Sequence, residues 1–206
     1  MKIFNNIKIT FMLFVAAPAI MFSSCSKGSK NPAPAKQTVT VSTFAGSGTV
    51  GLANGIGSAA TFKSPSSVKI GSDGSLYVGD WLNNVIRKID VSNGTVSTFA
   101  GTGTQGFTNG AAGSATFYHP CGVVFDSKGN LFVSELGNFS IRKIATDGTV
   151  STFAGTGSSG DVDGDASKAT FNQPIGIVFD KDGNMYVADE FNNKIRKITI
   201  TSSLNN

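Results

Sequence analysis

The hexapeptide VSTFAG at 41–46 decides the fold, because it recurs at 96–101 and again at 150–155. The period is therefore 55 and then 54 residues, and other markers keep the same spacing. A proline stands at 65, 120 and 174, and the tetrapeptide IRKI ends at 89, 144 and 198. Self-similarity at a fixed period of this length indicates a repeat architecture built from three copies of one unit.

Each copy contains four short runs typical of β-strands. The first run is apolar and follows the proline, as in GVVF at 122–125. A glycine-containing turn leads to a second run, which reads MYVAD at 185–189 in the third copy. The IRKI run is the third, and VSTFAG is the fourth. A Gly-rich stretch of roughly 20 residues then leads to the next unit. The pattern predicts an all-β protein with four-stranded units joined by tight turns.

Composition supports a turn-rich globular protein and excludes a nucleic-acid-binding surface. The 206 residues include 25 glycines and 6 prolines, without the strict glycine period of collagen. The formal net charge is +4, but five of the lysines lie in the first 36 residues. The repeated part is therefore close to neutral, and we expect no nucleic-acid partner.

Residues 1–24 are predicted to form a signal peptide. Two lysines precede an apolar run of about 14 residues, which is too short for a bilayer-spanning helix of about 20. The segment FSSC at 22–25 resembles the lipobox of bacterial lipoproteins, with Phe22 where leucine is usual. The resemblance implies cleavage before Cys25, lipidation of Cys25, and anchoring to a membrane of the bacterial cell envelope, facing the periplasm or the surface. An uncleaved membrane anchor and an ordinary secretory leader remain alternatives.

The rest of the chain divides by composition. Residues 25–37, rich in Ser, Lys, Pro and Ala, are predicted to be a flexible tether. The repeats span 38–200, and 201–206 form a short tail. Cys121 has no partner once Cys25 is lipidated, so we interpret it as a small buried residue rather than a disulfide partner.

The motifs of the third copy resemble the NHL repeat. Between 174 and 198 the chain reads Pro-x-Gly-Ile-x-x-Asp, then Gly-Asn-x-Tyr-Val-Ala-Asp, then Asn-x-x-Ile-Arg-Lys-Ile. The first copy departs from this pattern, with Ser67 at the glycine position and Gly71 at the first Asp. The resemblance covers 38–200 and implies β-propeller blades, which are four-stranded antiparallel sheets stacked radially. We place the blades at about 65–101, 120–155, and 174–200 plus 38–46.

Three blades are too few for a closed propeller, which typically has four to eight. The first VSTFAG is expected to be a fourth strand without three strands before it, while the third copy shows three strand signals without a fourth. Two chains could therefore pair as a homodimer that forms a six-bladed ring. A truncated or split product completed by another propeller half, and an open arc, are the alternatives.

A repeated acid and arginine, seven residues apart, are predicted to form a structural ion pair in each copy. The pairs are Asp80 with Arg87, Glu135 with Arg142, and Asp189 with Arg196. The acid ends the second strand and the arginine lies early in the third, so the two side chains meet across a hairpin.

One loop contains alternating carboxylates, at Asp161, Asp163 and Asp165. Oxygen ligands at short spacing are what Ca²⁺ prefers, so this loop is a candidate calcium site. The equivalent loops of the other copies are uncharged and share only an Asn-Gly step, so a tight turn is the alternative. We expect no other cofactor.

Positions where the copies differ inside a constant frame are candidates for ligand binding. Trp81, Leu136 and Glu190 occupy one such loop position, and Leu82 and Phe191 occupy the next, where the second copy has glycine. Aromatic side chains at such positions suit a protein or carbohydrate ligand. The only histidine, His119, is expected to be a polar loop residue.

The NHL resemblance implies a recognition platform, so a binding module is the predicted function. The alternative is a metal-dependent propeller enzyme of the lyase, lactonase or hydrolase type with a site in the central channel. That site needs acids converging from several blades, and the acids concerned are Asp80, Asp126, Asp180 and Asp189.

Overall fold

The computed structural model describes residues 37–201. The predicted signal peptide, the lipobox with Cys25 and most of the predicted tail lie outside the described residues. Between 37 and 201 no helix is long and apolar enough to cross a membrane.

The first two blades are five-stranded antiparallel sheets. The first blade contains β1 (Gly55–Ile56), β2 (Pro65–Ile70), β3 (Leu76–Asp80), β4 (Val85–Ile89) and β5 (Thr95–Ala100). Its strands lie in the order β1-β5-β4-β3-β2. The second blade contains β6 (Gly110–Ala111), β7 (Pro120–Phe125), β8 (Leu131–Glu135), β9 (Ser140–Ile144) and β10 (Thr149–Ala154). Its order, β6-β10-β9-β8-β7, repeats the first.

The third blade has three strands among the described residues. They are β11 (Pro174–Phe179), β12 (Met185–Asp189) and β13 (Lys194–Ile198), in that order. Single-turn 3₁₀ helices at Gly57–Ala59, Trp81–Asn83 and Glu190–Asn192 complete the elements. The predicted all-β propeller architecture is thus confirmed.

The short strands β1 and β6 were not evident from the sequence. Each lies in the Gly-rich stretch before its blade and pairs with the last strand of that blade, as in Gly55 with Val96 and Gly110 with Val150. Gly55 and Gly110 have φ of 155° and 128°, which an Asn-Gly step accommodates easily. The fourth strand of a complete blade is therefore held on both sides.

The hydrophobic cores lie between neighbouring blades. The core between blades 1 and 2 is built from residues of both, including Tyr77, Ile86, Phe117, Leu131 and Val133. The core between blades 2 and 3 repeats it with Phe132, Ile141, Phe171, Met185 and Val187. Burying each of these side chains contributes about 1.5–3 kcal/mol, so the junctions between blades supply much of the stability.

Aromatic rings are arranged in the same way at both junctions. Tyr77 meets Phe99 and Phe125 edge-on, with centroids 4.8 and 5.0 Å apart. Phe132 meets Phe153 and Phe179 in the same geometry, at 4.8 and 5.1 Å. In each set two rings belong to one blade and the third belongs to the next blade.

The segment at 41–46 differs from the sequence expectation. It was expected to be a fourth strand, but it forms no strand pairing within residues 37–201. Val41 is 98% exposed, whereas its equivalents Val96 and Val150 are each 1% exposed. The physical reason is that a strand needs a hydrogen-bonding neighbour, and the three strands that would precede 41–46 are not among the described residues.

Candidate functional site

The repeated acid and arginine of each blade lie in a buried polar network. In blade 2, Arg142 Nη1 donates to Glu135 Oε2 at 3.0 Å, and both side chains are fully buried. The same nitrogen donates to the carbonyl of Thr116, while Nη2 donates to the carbonyl of Thr108 and to Asn109 Oδ1. The guanidinium therefore joins the sheet to the preceding Gly-rich loop.

Blades 1 and 3 repeat this network. Arg87 Nη1 lies 3.0 Å from Asp80 Oδ2, and Arg196 Nη1 lies 2.8 Å from Asp189 Oδ2. Each arginine also donates a hydrogen bond to the loop side chain equivalent to Asn109. This side chain is Asn54 in blade 1 and Asp163 in blade 3. Three copies of one geometry indicate a structural role in the frame of each blade.

The acids accept further hydrogen bonds. Glu135 Oε1 accepts from the backbone N–H of Tyr118 and from Asn138 Nδ2, at 2.7 and 2.9 Å. Burial raises the pKa of Glu135 to about 7, while Arg142 and these hydrogen bonds act in the opposite direction. Both oxygens of the carboxylate therefore have protein hydrogen-bond partners, and the side chain is fully buried.

Two other acids were considered for a channel site, Asp126 and Asp180. Each accepts hydrogen bonds from backbone N–H groups of the turn that follows it. Asp126 Oδ1 accepts from the backbone N–H groups of Lys128 and Asn130, and Asp180 Oδ1 does the same in blade 3 with Asp182 and Asn184. These carboxylates organise the turns between the first and second strands of their blades.

The three carboxylates of the calcium candidate each face a cation. Asp161 lies 2.6 Å from Lys194, Asp163 lies 2.6 Å from Arg196, and Asp165 lies 3.5 Å from Lys168. Within residues 37–201, no three His, Cys, Asp or Glu side chains form a group suited to a metal ion. The acids thus lie in one loop without converging on a common point.

An aromatic cluster lies where blades 1 and 2 meet. The rings of Trp81 and His119 are 5.1 Å apart, and those of Tyr118 and His119 are 4.3 Å apart. All three side chains are half-buried. Burial lowers the pKa of His119, so the imidazole is neutral at pH 7. The cluster presents ring surfaces, a phenol hydroxyl and a neutral imidazole side by side.

Gly137 makes room for this cluster. A Cβ at Gly137 would collide with the ring of Tyr118, so the ring covers the glycine backbone. Blade 1 has Leu82 beside Lys63 at these two positions, and blade 3 has Phe191 beside Asn172. The pairing of a large ring with glycine therefore belongs to blade 2 alone among the three described blades.

The remaining predicted loop residues lie at equivalent places on their own blades. Leu82 and Leu136 are half-buried, Glu190 is exposed, and Phe191 is 59% exposed. The structure brings Trp81 together with His119 and Tyr118, not with Phe191. Sequence reasoning missed Tyr118, although its contrast with Lys63 and Asn172 was visible in the aligned copies.

Cys121 lies in β7 beside Ser66 of blade 1. The Ser66 hydroxyl donates to the carbonyl oxygen of Cys121 at 3.1 Å. Burial raises the pKa of the Cys121 thiol, although the side chain is half-buried rather than fully enclosed as predicted. A raised pKa keeps the thiol protonated and poorly reactive at neutral pH.

Comparison with known proteins places these features in context. No family model matches the chain. NHL repeat-containing protein 2 of Bos taurus is 30% identical over 155 residues, which cover 68% of this chain and 21% of that protein. The Homo sapiens protein of the same name is 29% identical over 189 residues, which cover 83% of this chain and 26% of that protein. Protein SUPPRESSOR OF QUENCHING 1 of Arabidopsis thaliana is 29% identical over 150 residues, which cover 68% of this chain and 14% of that protein. The chain thus spans at most about a quarter of these relatives.

Two solved structures from Bacteroides thetaiotaomicron are similar in fold. One, a structural genomics protein of unknown function, is 30% identical with a TM-score of 0.58 and covers 61% of this chain and 32% of that one. The other, an auxiliary nutrient binding protein, is 27% identical with a TM-score of 0.58. The match covers 64% of this chain and 36% of that one. This chain aligns with about a third of each structure.

Proposed function

Because this chain carries NHL repeats folded as β-propeller blades, we propose that it is a binding module of the bacterial cell envelope. Its ligand would be recognised by the loops at the junction of blades 1 and 2. The proposal includes attachment to a membrane through a lipid on Cys25.

The observation that carries the proposal is the aromatic cluster of Trp81, Tyr118 and His119. The loop backbone is held alike in all three blades, since Leu82, Gly137 and Phe191 each donate a backbone N–H to the preceding loop. The frame therefore does not need aromatic side chains at these positions. Side chains that the repeat does not require are free to recognise a ligand.

The chemistry of the cluster favours a carbohydrate. Trp and Tyr rings offer apolar faces that pack on the carbon–hydrogen face of a sugar ring. The Tyr118 hydroxyl and the neutral His119 imidazole can both donate and accept hydrogen bonds with sugar hydroxyls. The similarity to an auxiliary nutrient binding protein of Bacteroides thetaiotaomicron supports a binding role.

The test is calorimetric titration of the full chain, solubilised in detergent, with glucose, galactose, N-acetylglucosamine and their short oligomers. The matched variant is Trp81→Leu, because leucine is the residue of blade 2 at this position. We expect binding of at least one sugar and a loss of about tenfold or more in affinity in the variant, or about 1.4 kcal/mol. Glu190→Ala, on blade 3, is the control and should bind normally. Unchanged affinity in Trp81→Leu contradicts the proposed site.

A metal-dependent enzyme is the alternative function, and metal analysis of the purified chain distinguishes it. The acids that would have to converge on a channel are Asp80, Asp126, Asp180 and Asp189. Each accepts hydrogen bonds from its own blade. A stoichiometric metal ion that survives dialysis and is lost in an Asp126→Asn/Asp180→Asn variant would favour the enzyme over the binding module.

A further inference from the structure

Blade 3 contains a strand position that none of the residues 37–201 fills. In blades 1 and 2 the fourth strand lies between the IRKI strand and the short strand of the preceding loop. In blade 3 the corresponding boundaries are β13 and the loop at 163–165, and a cavity of about 700 Å³ lies between them. No strand of the described residues pairs with the free edge of β13. We define this cavity with its two boundaries as the slot.

The slot is lined by equivalents of residues that pack against a VSTFAG strand in blade 2. The slot is lined by Ala154, Ala166, Phe171, Arg196 and Ile198, among others. In blade 2 the fourth strand is VSTFA at 150–154, and Val150 joins the core beside Leu131 and Ile144. The equivalents of those two core residues in blade 3 are Met185 and Ile198, both in the core between blades 2 and 3.

The same chain contains a third copy of this strand sequence, which pairs with no strand of the described residues. Residues 41–46 have the sequence of the fourth strands of blades 1 and 2, and they form no strand pairing within residues 37–201. Val41 is 98% exposed and Phe44 is 48% exposed. An apolar strand with open backbone donors and acceptors is a template for pairing with another sheet edge.

The outer faces of blades 1 and 3 are also complementary. Val68 and Ile70 on blade 1 are 60% and 59% exposed, whereas the equivalent Val123 of blade 2 is 5% exposed and the equivalent Phe125 is half-buried. On blade 3, Val178 and Ile195 are 56% and 71% exposed. The equivalent residues of blade 2, Val124 and Ile141, are buried in the core between blades 2 and 3. Each exposed face therefore carries the residues that would make the next junction between blades.

We propose that the slot of blade 3 accepts residues 41–46 of a second copy of this chain, and that two copies close reciprocally into a six-bladed ring. Each copy donates one strand and receives one, which is the self-complementary arrangement of a closed two-fold assembly. Six blades lie within the range of four to eight that closed propellers use. This inference is independent of the proposed carbohydrate site.

The internal blades fix the register. Lys88 pairs with Ser97 in blade 1, and Lys143 pairs with Ser151 in blade 2. The equivalent pair across the proposed junction is Lys197 of one copy with Ser42 of the other. Directly opposite residues of antiparallel strands have Cα atoms about 4.5–5.5 Å apart, within the range that a disulfide spans.

The experiment is oxidative cross-linking of the full chain in its producing cells. The test variant carries Ser42→Cys and Lys197→Cys together with Cys121→Ser. We expect most of the protein to migrate at twice the chain mass without reductant and at the chain mass with it. A variant with Lys143→Cys and Ser151→Cys is the matched control, because the same pair inside blade 2 should oxidise without any change in mass.

Adding Val41→Asp to the test variant should abolish the dimer. Val41 is exposed in the single copy, so this change does not disturb the fold, but its equivalents in filled slots are buried. Monomers with free thiols, alongside an oxidised control pair, would overturn the proposal. So would equal dimer formation by either single-cysteine variant, a ladder of higher multiples, or a dimer that Val41→Asp leaves intact.

Discussion

Blades 2 and 3 have nearly the same sequence pattern and very different surroundings. Ile141 and Ile195 begin the same IRKI run, and both point away from the preceding blade. Ile141 is fully buried because blade 3 packs on it, whereas Ile195 is 71% exposed. In a repeat architecture, the burial of a junction residue depends on its neighbour rather than on its own blade.

The arginines of the same two runs show the opposite behaviour. Arg142 is fully buried and Arg196 is only 8% exposed, although one edge of blade 3 is open. Each guanidinium is enclosed by its own loop and its own acid. The polar network therefore belongs to the single blade, and the apolar core belongs to the junction between blades.

The strongest test of this distinction is alanine substitution at the two isoleucines. Ile141→Ala should lower the free energy of unfolding by about 2–5 kcal/mol, because it opens a cavity in the core between blades 2 and 3. Ile195→Ala should cost less than about 0.5 kcal/mol, as exposed positions usually do. Urea unfolding of the full chain in detergent at low protein concentration measures both values.

The same pair of variants also reports on assembly. If two copies form a ring, the cost of Ile195→Ala should grow as the protein concentration rises, while the cost of Ile141→Ala stays constant. A cost at Ile195 equal to that at Ile141 under dilute conditions would mean that another part of the chain already covers the outer face of blade 3.

The architecture could be predicted from the sequence because repetition amplifies weak signals. A single VSTFAG segment is ambiguous, but three in register with IRKI and proline define strands and turns together. The short strands β1 and β6 were missed, since two residues in a Gly-rich stretch carry no periodicity. The segment at 41–46 was expected to be a strand on its sequence alone, but strand formation also requires a neighbour.

The candidate site was predictable only where the copies differ. Trp81 was identified because Leu136 and Glu190 occupy the same position in the other blades. The proximity of His119 to Trp81 could not be predicted, because the two residues belong to different blades and meet only when the blades stack. The loop partners of the arginines, such as Asn109, were interpreted as turn residues, although their side chains also bind the guanidinium.

A smaller effect is expected at Phe139, which differs from its equivalents in the other blades. Phe139 has φ of 48°, and the same left-handed conformation is held by Asn84 and Asn193 in blades 1 and 3. Asn84 Oδ1 also accepts a hydrogen bond from the backbone N–H of His119, across the junction between blades 1 and 2. Phe139 has no side-chain oxygen with which to make the equivalent bond to blade 3. Phe139→Asn should therefore raise the free energy of unfolding by about 1 kcal/mol, since asparagine tolerates this conformation better. A lower urea midpoint in this variant would show that the ring of Phe139 contributes more by packing than it costs in backbone strain.

The smallest effect is the pH dependence contributed by His119. Burial lowers the pKa of this imidazole below the 6.5 of the unfolded chain. Just below pH 6.5 the unfolded chain binds a proton that the folded chain does not, so stability should decline as the pH falls from 6.5. His119→Gln introduces the residue that blade 3 has at this position, Gln173, which adopts the same left-handed conformation. The free energy of unfolding of the native chain and of the variant is measured from pH 7.5 down to 5.5. Below about pH 6.5 the native chain should lose stability relative to the variant, and above it the difference should stay constant. A difference that is constant with pH would show that the imidazole is solvated in the fold, and that the cluster at the junction of blades 1 and 2 is looser than its 4.3 and 5.1 Å ring contacts indicate.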